Sequence, residues 1–530
     1  MRILTALLAL VLVSSTTLPL AAQHPHPRLV VLIVVDQMRG DYIDANRHRW
    51  TKGLARLVDD GAWFQQADYP FANTVTCAGH ASISTGALPS VHGMVNNTWW
   101  DRDFGRVVAC ADDAGALALS YGRPVSASGQ SAHRLMVPTL ADELRAQLGP
   151  DSRVAAFSLK ARSVATLGGQ HPDVATWIAD EGAWVTSTAY GGQVPELARY
   201  LAAHPVESEL WTTWNRAMPK AAYTDEERAL GHQGEGEPAF PHSIRTWDEW
   251  EASPLSDAYL GRMALGVVGS MNFGEPGHTD MLAISFSALD LVGHSYGPDS
   301  HEVQDVLFML DQTIGELLTG LDALVGRDNY VVALSSDHGV SQTPEHARAH
   351  GVDAARIPPR AIPDAAQSAI SGLLGKGRWV NRLMNGDLYL EDGVLARLRS
   401  TPDGIERLRS ALLAVPGVER VLTRDELTPA AGDYDPTIRP LINSYVPSRS
   451  GDVMIVFRPH WLVGTTNGAN HGTSYGYDTR VPIILAGAGI KSGAHTRRVT
   501  PLDIAPTLAH LAGITLPHAQ GQVLIDALLR

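Results

Sequence analysis

The chain has 530 residues, of which 45% are hydrophobic, so it is long enough to bury a large core. Its formal net charge of −14 argues against a general nucleic-acid-binding role, because coating a polyanion requires a basic surface. No low-complexity linker interrupts the pattern of strands and helices from residue 29 onward. We therefore expect one large α/β domain with insertions rather than several separate domains.

Residues 1–22 have the pattern of a secretory signal peptide. Arg2 supplies a positive start, Leu4–Val13 form an apolar run, and Leu20–Ala22 make a small-residue cleavage site. A membrane anchor is a weaker interpretation, because the unbroken apolar run is too short to span a bilayer. We expect a mature chain of residues 23–530 that is periplasmic or secreted and carries no membrane anchor.

Five apolar runs predict strands, and amphipathic segments between them predict helices. The first run, RLVVLIVV at residues 28–35, is apolar throughout, as expected of a strand buried on both faces of a parallel sheet. The other four are Val154–Leu159, Met281–Ser287, Tyr330–Leu334 and Val481–Leu485. A leucine-rich stripe between residues 307 and 321 predicts a long helix, and Thr500 followed by Pro501 marks the start of a later one. This alternation favours an α/β fold with a doubly wound, mostly parallel sheet flanked by helices.

Two stretches break the alternation and are interpreted as insertions. Residues 203–256 contain four tryptophans and an acidic segment near 224–238. They suit a lid or cap over the site, although a tryptophan-rich packing element fits nearly as well. Residues 345–445 carry several prolines and then short strand and helix signals, which resemble a small α+β subdomain.

Carboxylates and histidines follow two of the predicted strands. Asp36 ends a wholly apolar strand, so its charge needs a cation or several hydrogen bonds. Asp337 and His338 follow the strand at residues 330–334, and Gly339 permits a turn that lets both side chains reach one cation. Taken alone, an Asp-His pair is more often an ordinary surface loop.

Three further candidate ligands occur later along the chain. Asp290 and His294 follow another predicted strand, and their spacing of four places both on one side of a helical turn, a geometry suited to zinc. By itself the pair is more typical of an ordinary loop with a helix cap. His471 follows the Gly- and Asn-rich segment 464–470 and would by default be a loop histidine.

Thr76 is a candidate nucleophile. It heads a helix of small residues, so its hydroxyl is expected near a helix N-terminus, where free N–H groups favour a phosphoryl group. A coordinated metal would lower the pKa of this hydroxyl and generate an alkoxide without a histidine base. A capping threonine is the alternative interpretation.

Two cations and two cysteines complete the set of candidates. Lys160 and Arg162 end the strand at residues 154–159, and in extended chain both would point the same way, towards one phosphate, unless they are simply solvated. Cys77 and Cys110 could pair in an exported protein, or Cys77 could be a small buried apolar residue.

Seven motifs together resemble the alkaline phosphatase superfamily, in particular its threonine-nucleophile alkaline phosphatases, which are related to the type I phosphodiesterase/nucleotide pyrophosphatase family. Each motif alone is weak, but seven in the family's order are specific, and they span about residues 29–512. The motifs are VVDQMR (34–39), TVTCAGHASISTG (74–86), HGMVNN (92–97), SLKAR (158–162), ALDLVGH (288–294), SSDHG (335–339) and ANHGT (469–473).

The resemblance implies two Zn²⁺ ions that clamp the attacking and leaving oxygens of an in-line displacement. One zinc would be bound by Asp290, His294 and His471, and the other by Asp36, Asp337, His338 and the Thr76 oxygen. Thr76 would attack phosphorus to give a phosphothreonine, which water then hydrolyses. Sites of mixed histidine and carboxylate ligands also suit manganese, cobalt or iron.

The resemblance also implies the substrate class. Lys160 and Arg162 match the monoesterase pattern, and Asn97, rather than its neighbour Asn96, would donate a hydrogen bond to a phosphate oxygen. The expected activity is that of an exported alkaline phosphatase, a monomer that hydrolyses small-molecule phosphate monoesters.

Four alternatives were weighed. A phosphodiesterase or nucleotide pyrophosphatase has the same bimetal core but an apolar pocket where Lys160 and Arg162 stand. A sulfatase needs an arginine after its modified cysteine, and the sequence after Cys77 lacks it. A phosphotransferase or phosphomutase also forms a phosphothreonine, but export favours hydrolysis. A non-catalytic metal- or phosphate-binding protein would be expected to have lost a ligand or the nucleophile, and all are present.

Overall fold

A computed structural model describes residues 26–179, 182–223, 240–465 and 468–529. The signal peptide expected at residues 1–22 and the acidic segment near 224–238 lie outside these ranges. Within them, no helix combines the length and the apolar composition needed to cross a membrane.

The strands of the described residues are short to medium in length. They are β1 (Leu29–Val35), β2 (Ala62–Ala67), β3 (Thr98–Asp101), β4 (Arg106–Ala109), β5 (Asp112–Ser120), β6 (Ser128–Gln130), β7 (Val154–Ser158), β8 (Val174–Ala179), β9 (Ala183–Ser187), β10 (Thr212–Trp214), β11 (His242–Ile244), β12 (Asp280–Phe286), β13 (Tyr330–Ser335), β14 (Ala355–Ile357), β15 (Val380–Met384), β16 (Asp387–Leu390), β17 (Val418–Thr423), β18 (Val453–Phe457), β19 (Trp461–Val463), β20 (Ile483–Gly487) and β21 (Gly493–Val499).

The α-helices vary more in length. They are α1 (Asp41–Asn46), α2 (Gly53–Asp60), α3 (Thr76–Thr85), α4 (Pro89–His92), α5 (Leu140–Leu148), α6 (Ala161–Gly168), α7 (Pro195–Ala203), α8 (Trp247–Glu251), α9 (Pro254–Ser270), α10 (Ala288–Tyr296), α11 (His301–Leu324), α12 (Pro344–Ala349), α13 (Ala361–Leu374), α14 (Val394–Ser400), α15 (Gly404–Leu413), α16 (Pro429–Tyr434), α17 (Arg439–Ser444), α18 (Gly476–Thr479) and α19 (Ile504–Ala512).

One large mixed sheet organises the molecule, with strand order β21-β2-β20-β13-β1-β12-β7-β8-β9-β5-β6. Its centre, from β13 to β8, is parallel, and antiparallel pairings of β20 with β13 and of β9 with β8 flank that centre. The prediction of a doubly wound, mostly parallel sheet flanked by helices is therefore confirmed. The strand predicted at Val481 starts two residues later, because Pro482 has no N–H to donate to a ladder.

Two hydrophobic cores cover the two faces of this sheet. All seven residues of β1 are buried. Val31 and Ile33 belong to the core formed with α2, α9 and α11, whereas Leu32 and Val34 belong to the core formed with α5, α6 and α19, as the alternation of side chains along a strand requires. The leucine stripe predicted between residues 307 and 321 lies on α11 and is buried in the first core.

A smaller antiparallel sheet, with strand order β15-β16-β18-β17, packs with α13 and α15 around a separate hydrophobic core. We call the region from Ala355 to Val463 the small-sheet region. It contains β18 and β19, which lie beyond residue 445, where the α+β insertion was expected to end.

The tryptophan-rich stretch contains two deeply buried side chains. Trp214 and Trp250 belong to the core formed with α2, α9 and α11, and the indole N–H of Trp214 donates to Asp305 on α11 at 2.6 Å. Trp211 is 78% exposed. The buried pair makes the contacts of a packing element, and a lid role for residues 203–256 stays a prediction.

The buried carboxylate of Asp387 on β16 gives the fold a pH-dependent stability. It accepts hydrogen bonds from Gly451 N (2.7 Å) and from the Asn73 amide (3.4 Å), and burial raises its pKa to about 6. The folded protein therefore binds a proton more tightly than the unfolded chain, so the contribution of this carboxyl to stability falls as the pH rises from the unfolded pKa to the folded pKa and is constant above it.

We expect Asp387→Asn to become more stable relative to the wild type as the pH rises from about 4 to 6, by up to about 3 kcal/mol, with a plateau above about pH 7. Urea denaturation of both proteins across this range measures the difference in free energy of unfolding. A difference that is independent of pH would contradict the raised pKa.

Candidate active site

Four neighbouring parallel strands, β13, β1, β12 and β7, end at the same edge of the central sheet. Asp36 directly follows β1, and Asp337 and His338 follow β13. Asp290 lies in the first turn of α10 after β12, and Lys160 follows β7. Because the carboxyl ends of parallel strands collect loop residues at one edge, five of the predicted site residues meet there.

Asp36, Asp337 and His338 form a fully buried cluster. The Nε2 atom of His338 lies 3.4 Å from Asp36 Oδ1 and 3.3 Å from Asp337 Oδ2. Among the described residues, none of these three atoms has a hydrogen-bond partner. Buried ionisable atoms without partners are costly, and an imidazole with two carboxylates is a donor set that suits zinc. These residues therefore fit a metal ion.

A second cluster adjoins the first. Ligand atoms of Asp290, His338 and His471 lie within 4.8 Å of one another. His294 reaches the same carboxylate, with its Nε2 atom 3.1 Å from Asp290 Oδ1. His338 thus contacts members of both sets inferred from the sequence, and its ring stacks on that of His471 with 3.5 Å between centroids.

The three histidines are oriented in the same way. In each, Nδ1 bonds a backbone carbonyl oxygen, at 2.8 Å for His294, 2.9 Å for His338 and 2.8 Å for His471. A carbonyl only accepts, so Nδ1 of each ring carries a proton and Nε2 faces the carboxylates, the arrangement usual for metal-binding histidines. Burial, together with the charges of His338 and His294, lowers the pKa of His471 well below its usual value, so this ring is neutral.

Lys160 offsets part of the negative charge. Its Nζ atom donates to Asp36 Oδ2 at 2.6 Å and also to Asp290 Oδ2. Burial, followed by the charges of Asp290 and Asp337, raises the pKa of Asp36. Burial alone would also raise the pKa of Asp290, but Lys160 and His294 outweigh it and hold that pKa well below its usual value. Three buried carboxylates beside one ammonium leave room for further positive charge.

Thr76 is the first residue of α3 and is 1% exposed. The first turn of this helix lies directly against the cluster, since a β-carbon at Gly79 would overlap the backbone oxygen of Asp337. Glycine therefore permits the close approach. The positive N-terminal end of α3 is thereby held beside the buried carboxylates and histidines.

A disulfide holds Asn97 next to this helix. Cys77 and Cys110 are bonded, which answers the question that the sequence left open. The backbone N–H of Cys77 donates to Asn97 Oδ1, and that of Cys110 donates to Asn97 O, both at 2.9 Å. With its Oδ1 engaged, Asn97 presents its amide NH₂ group as a donor. The Oδ1 atom of Asn96 instead accepts from the backbone N–H of Asn97 and from the side-chain amide of Asn385.

Arg162 reaches the same edge by a different route from the one expected. The expectation that it shares extended chain with Lys160 is wrong, because β7 ends at Ser158 and α6 begins at Ala161. Lys160 is the residue before α6 and Arg162 lies in its first turn. The Nε atom of Arg162 is buried and has no hydrogen-bond partner among the described residues.

Two contributors were not identified from the sequence. Gln37 has a left-handed backbone (φ 70°), donates its N–H to Asp337 Oδ1 at 3.1 Å and its amide to Asp290 Oδ1 at 2.6 Å. His80 places Nδ1 2.9 Å from Thr76 O and 3.1 Å from Asp337 Oδ2. The only signal in the sequence was position, since Gln37 lies inside the motif VVDQMR and His80 inside the motif TVTCAGHASISTG.

Comparisons with known proteins agree with this geometry. The family model described as type I phosphodiesterase / nucleotide pyrophosphatase matches residues 30–478. Alkaline phosphatase PafA of Elizabethkingia meningoseptica is 30% identical over 93% of each chain. Alkaline phosphatase PhoV of Synechococcus elongatus is 28% identical over 95% of this chain and 93% of its own. The crystal structure of wild-type PafA matches with a TM-score of 0.88 and 29% identity, over 95% of this chain and 99% of that one.

The contact of Gly79 with Asp337 gives a testable prediction. Gly79→Ala should lower the free energy of unfolding by at least about 2 kcal/mol, because the added methyl group must displace the backbone of Asp337. Bound metal, measured by atomic emission, should fall in the same variant.

Gly372→Ala is the matched control. This glycine lies in α13 with no atom within 4 Å of an added β-carbon. The substitution should be neutral or stabilising by up to about 1 kcal/mol. Equal effects of the two substitutions would contradict the close approach.

Proposed function

The chain belongs to the type I phosphodiesterase/nucleotide pyrophosphatase family of the alkaline phosphatase superfamily, and from that premise we propose that it hydrolyses phosphate monoesters through a phosphothreonine intermediate. The resemblance inferred from the seven motifs is confirmed by the family match and by the relatives. The relatives and the fold make it an alkaline phosphatase-type hydrolase. The preference for monoesters, the two-zinc mechanism and the individual residue roles belong to the proposal.

The observation that carries the proposal is the half-buried pair of cations, Lys160 and Arg162, beside the carboxylate–histidine clusters. Lys160 and Arg162 bring positive charge to the edge where Thr76 begins its helix. A monoester has one more negative charge than a diester, so these cations favour it. A crystallised PafA variant carries substitutions of a threonine, an asparagine, a lysine and an arginine. Their spacing matches that of Thr76 with Asn97 and of Lys160 with Arg162.

In the proposed mechanism the hydroxyl of Thr76 attacks phosphorus, and the ester oxygen leaves with the organic group. The N–H groups at the start of α3 and the NH₂ of Asn97 donate to the phosphate oxygens. Arg162 binds two oxygens as a planar fork, and Lys160 adds a point charge. Water then hydrolyses the phosphothreonine and regenerates Thr76.

Two zinc ions are proposed as cofactors. Asp290, His294 and His471 would hold one, and Asp36, Asp337 and His338 with the Thr76 oxygen would hold the other. The ions would supply positive charge that lowers the pKa of the hydroxyl and stabilises the transition state. Gln37 positions the carboxylate of Asp290, and His80 positions that of Asp337.

The wider setting is also proposed. We infer a periplasmic or secreted monomer without a membrane anchor that acts on small-molecule phosphate monoesters and not on nucleic acids. A phosphodiesterase with the same metal core is the second candidate, favoured by the description of the matching family. The half-buried cations Lys160 and Arg162 count against it.

Removing the nucleophile tests the chemistry. Thr76→Ala should lower kcat for para-nitrophenyl phosphate by at least about a thousandfold while leaving the zinc content intact, since three other side chains remain in its set. Thr319→Ala, at an exposed position on α11, is the control and should keep full activity. A chelator should abolish wild-type turnover. Full activity of Thr76→Ala would disprove the nucleophile, and no turnover by the zinc-loaded wild type would disprove every enzymatic version.

Removing the cations tests the substrate class. Lys160→Ala combined with Arg162→Ala should lower kcat/KM for para-nitrophenyl phosphate by about a hundredfold or more, and for bis-para-nitrophenyl phosphate by less than about tenfold. Arg360→Ala with Lys376→Ala removes two exposed cations as the control. Equal losses for the two esters would show that the pair does not discriminate between them.

A further inference from the structure

A cavity of about 280 Å³ adjoins the second cluster. Its wall on one side comes from the small-sheet region and on the other from the loop of residues 470–475. His471 and Gly472 belong to both the cavity wall and the motif ANHGT. The cavity therefore opens next to a proposed metal ligand.

The wall is mostly apolar and carries no charged side chain among the described residues. Among the described residues that line it, none is a lysine, arginine, aspartate or glutamate. Phe457, Trp461 and Tyr475 contribute aromatic rings, and all three are half-buried. Leu383, Leu441, Ile455 and Leu462 contribute aliphatic surface. Pockets lined in this way bind uncharged, flat, apolar groups, because a charge would lose its hydration without gaining a partner.

A few amide side chains link the cavity to the phosphate-binding side. Asn73 and Asn385 both line it. The Asn385 amide donates to Asn96 Oδ1 at 2.9 Å, and the same oxygen accepts the backbone N–H of Asn97 at 2.8 Å. One wall of the cavity is thus linked to the residue proposed to bind phosphate through a shared acceptor, the Oδ1 atom of Asn96.

We propose that this cavity is the subsite for an uncharged aromatic group of the phosphate monoester, an inference that rests on the proposed function. An ester held by its phosphate at Thr76 would then extend its organic group past His471 into the cavity. Aromatic monoesters are favoured over small aliphatic ones, and further phosphates on the organic group are disfavoured because none of the described residues that line the wall is basic.

The test compares three esters: ethyl, phenyl and 2-naphthyl phosphate. The two aromatic alcohols differ little in acidity, so their comparison isolates the contact area of the ring. Phe457→Ala should lower kcat/KM for 2-naphthyl phosphate by about 5- to 20-fold, phenyl phosphate less, and ethyl phosphate by less than about twofold. The backbone oxygen of Phe457, which accepts from the Tyr475 hydroxyl at 2.7 Å, is unaffected by the substitution.

Two further variants make the result specific. Phe104→Ala removes an exposed phenylalanine remote from the cavity wall and should change none of the three esters. Leu383→Trp fills the cavity and should reproduce the loss with 2-naphthyl phosphate even if Phe457→Ala folds poorly. Equal losses for ethyl and 2-naphthyl phosphate in both cavity variants would overturn the subsite.

Binding of 2-naphthol, followed by fluorescence anisotropy, separates the subsite from the catalytic function. It should persist in Thr76→Ala and with chelator, and weaken at least fivefold in Phe457→Ala and Leu383→Trp. Undiminished binding in both cavity variants would overturn the assignment. If the wild type hydrolysed none of the esters but still bound 2-naphthol in this way, the proposed function would fall while the cavity stayed an aromatic-binding site.

Discussion

Mutual repulsion among three buried carboxylates is the constraint around which the site is built. Asp36, Asp290 and Asp337 lie together because the strands before them are neighbours in the sheet. Their charge has to be offset inside the protein, where water cannot do so. Three features help to offset this charge: the ammonium of Lys160, the outward Nδ1 protons of the histidines and the N-terminus of α3. Cations complete the balance, which is why the arrangement suits metal-assisted phosphoryl transfer.

The sequence predicted those features that depend on local pattern. A wholly apolar run ending in Asp36 indicated a buried strand and a compensated charge, and the leucine stripe indicated α11; both predictions are confirmed. Features that depend on distant contacts were not predictable. The left-handed backbone of Gln37 and the close approach at Gly79 exist only because of neighbours about 250 or more positions away along the chain. No periodicity records such contacts.

The observed secondary structure corrects the argument that placed Arg162 beside Lys160, but not its conclusion that both bring positive charge to the site. Arg162 was placed beside Lys160 by the spacing of an extended chain, whereas a helix begins between them. Helix α6 starts at the same sheet edge, so the positive charge is still delivered there. The cavity beside His471 could not be predicted from the sequence for a different reason. It lies between the small-sheet region and the loop of residues 470–475, which follows that region in sequence. Only the packing of the two creates it.

The hydrogen bonds that orient the histidines have a consequence for how the protein is made. His471 is oriented by the carbonyl of Thr74, 397 positions earlier, and His294 by that of Ala469, 175 positions later. A growing chain therefore carries incomplete clusters until residue 471 has been synthesised. Contacts this distant in sequence form late in folding. Any metal ion that depends on His471 as a ligand can bind only after that stage of synthesis.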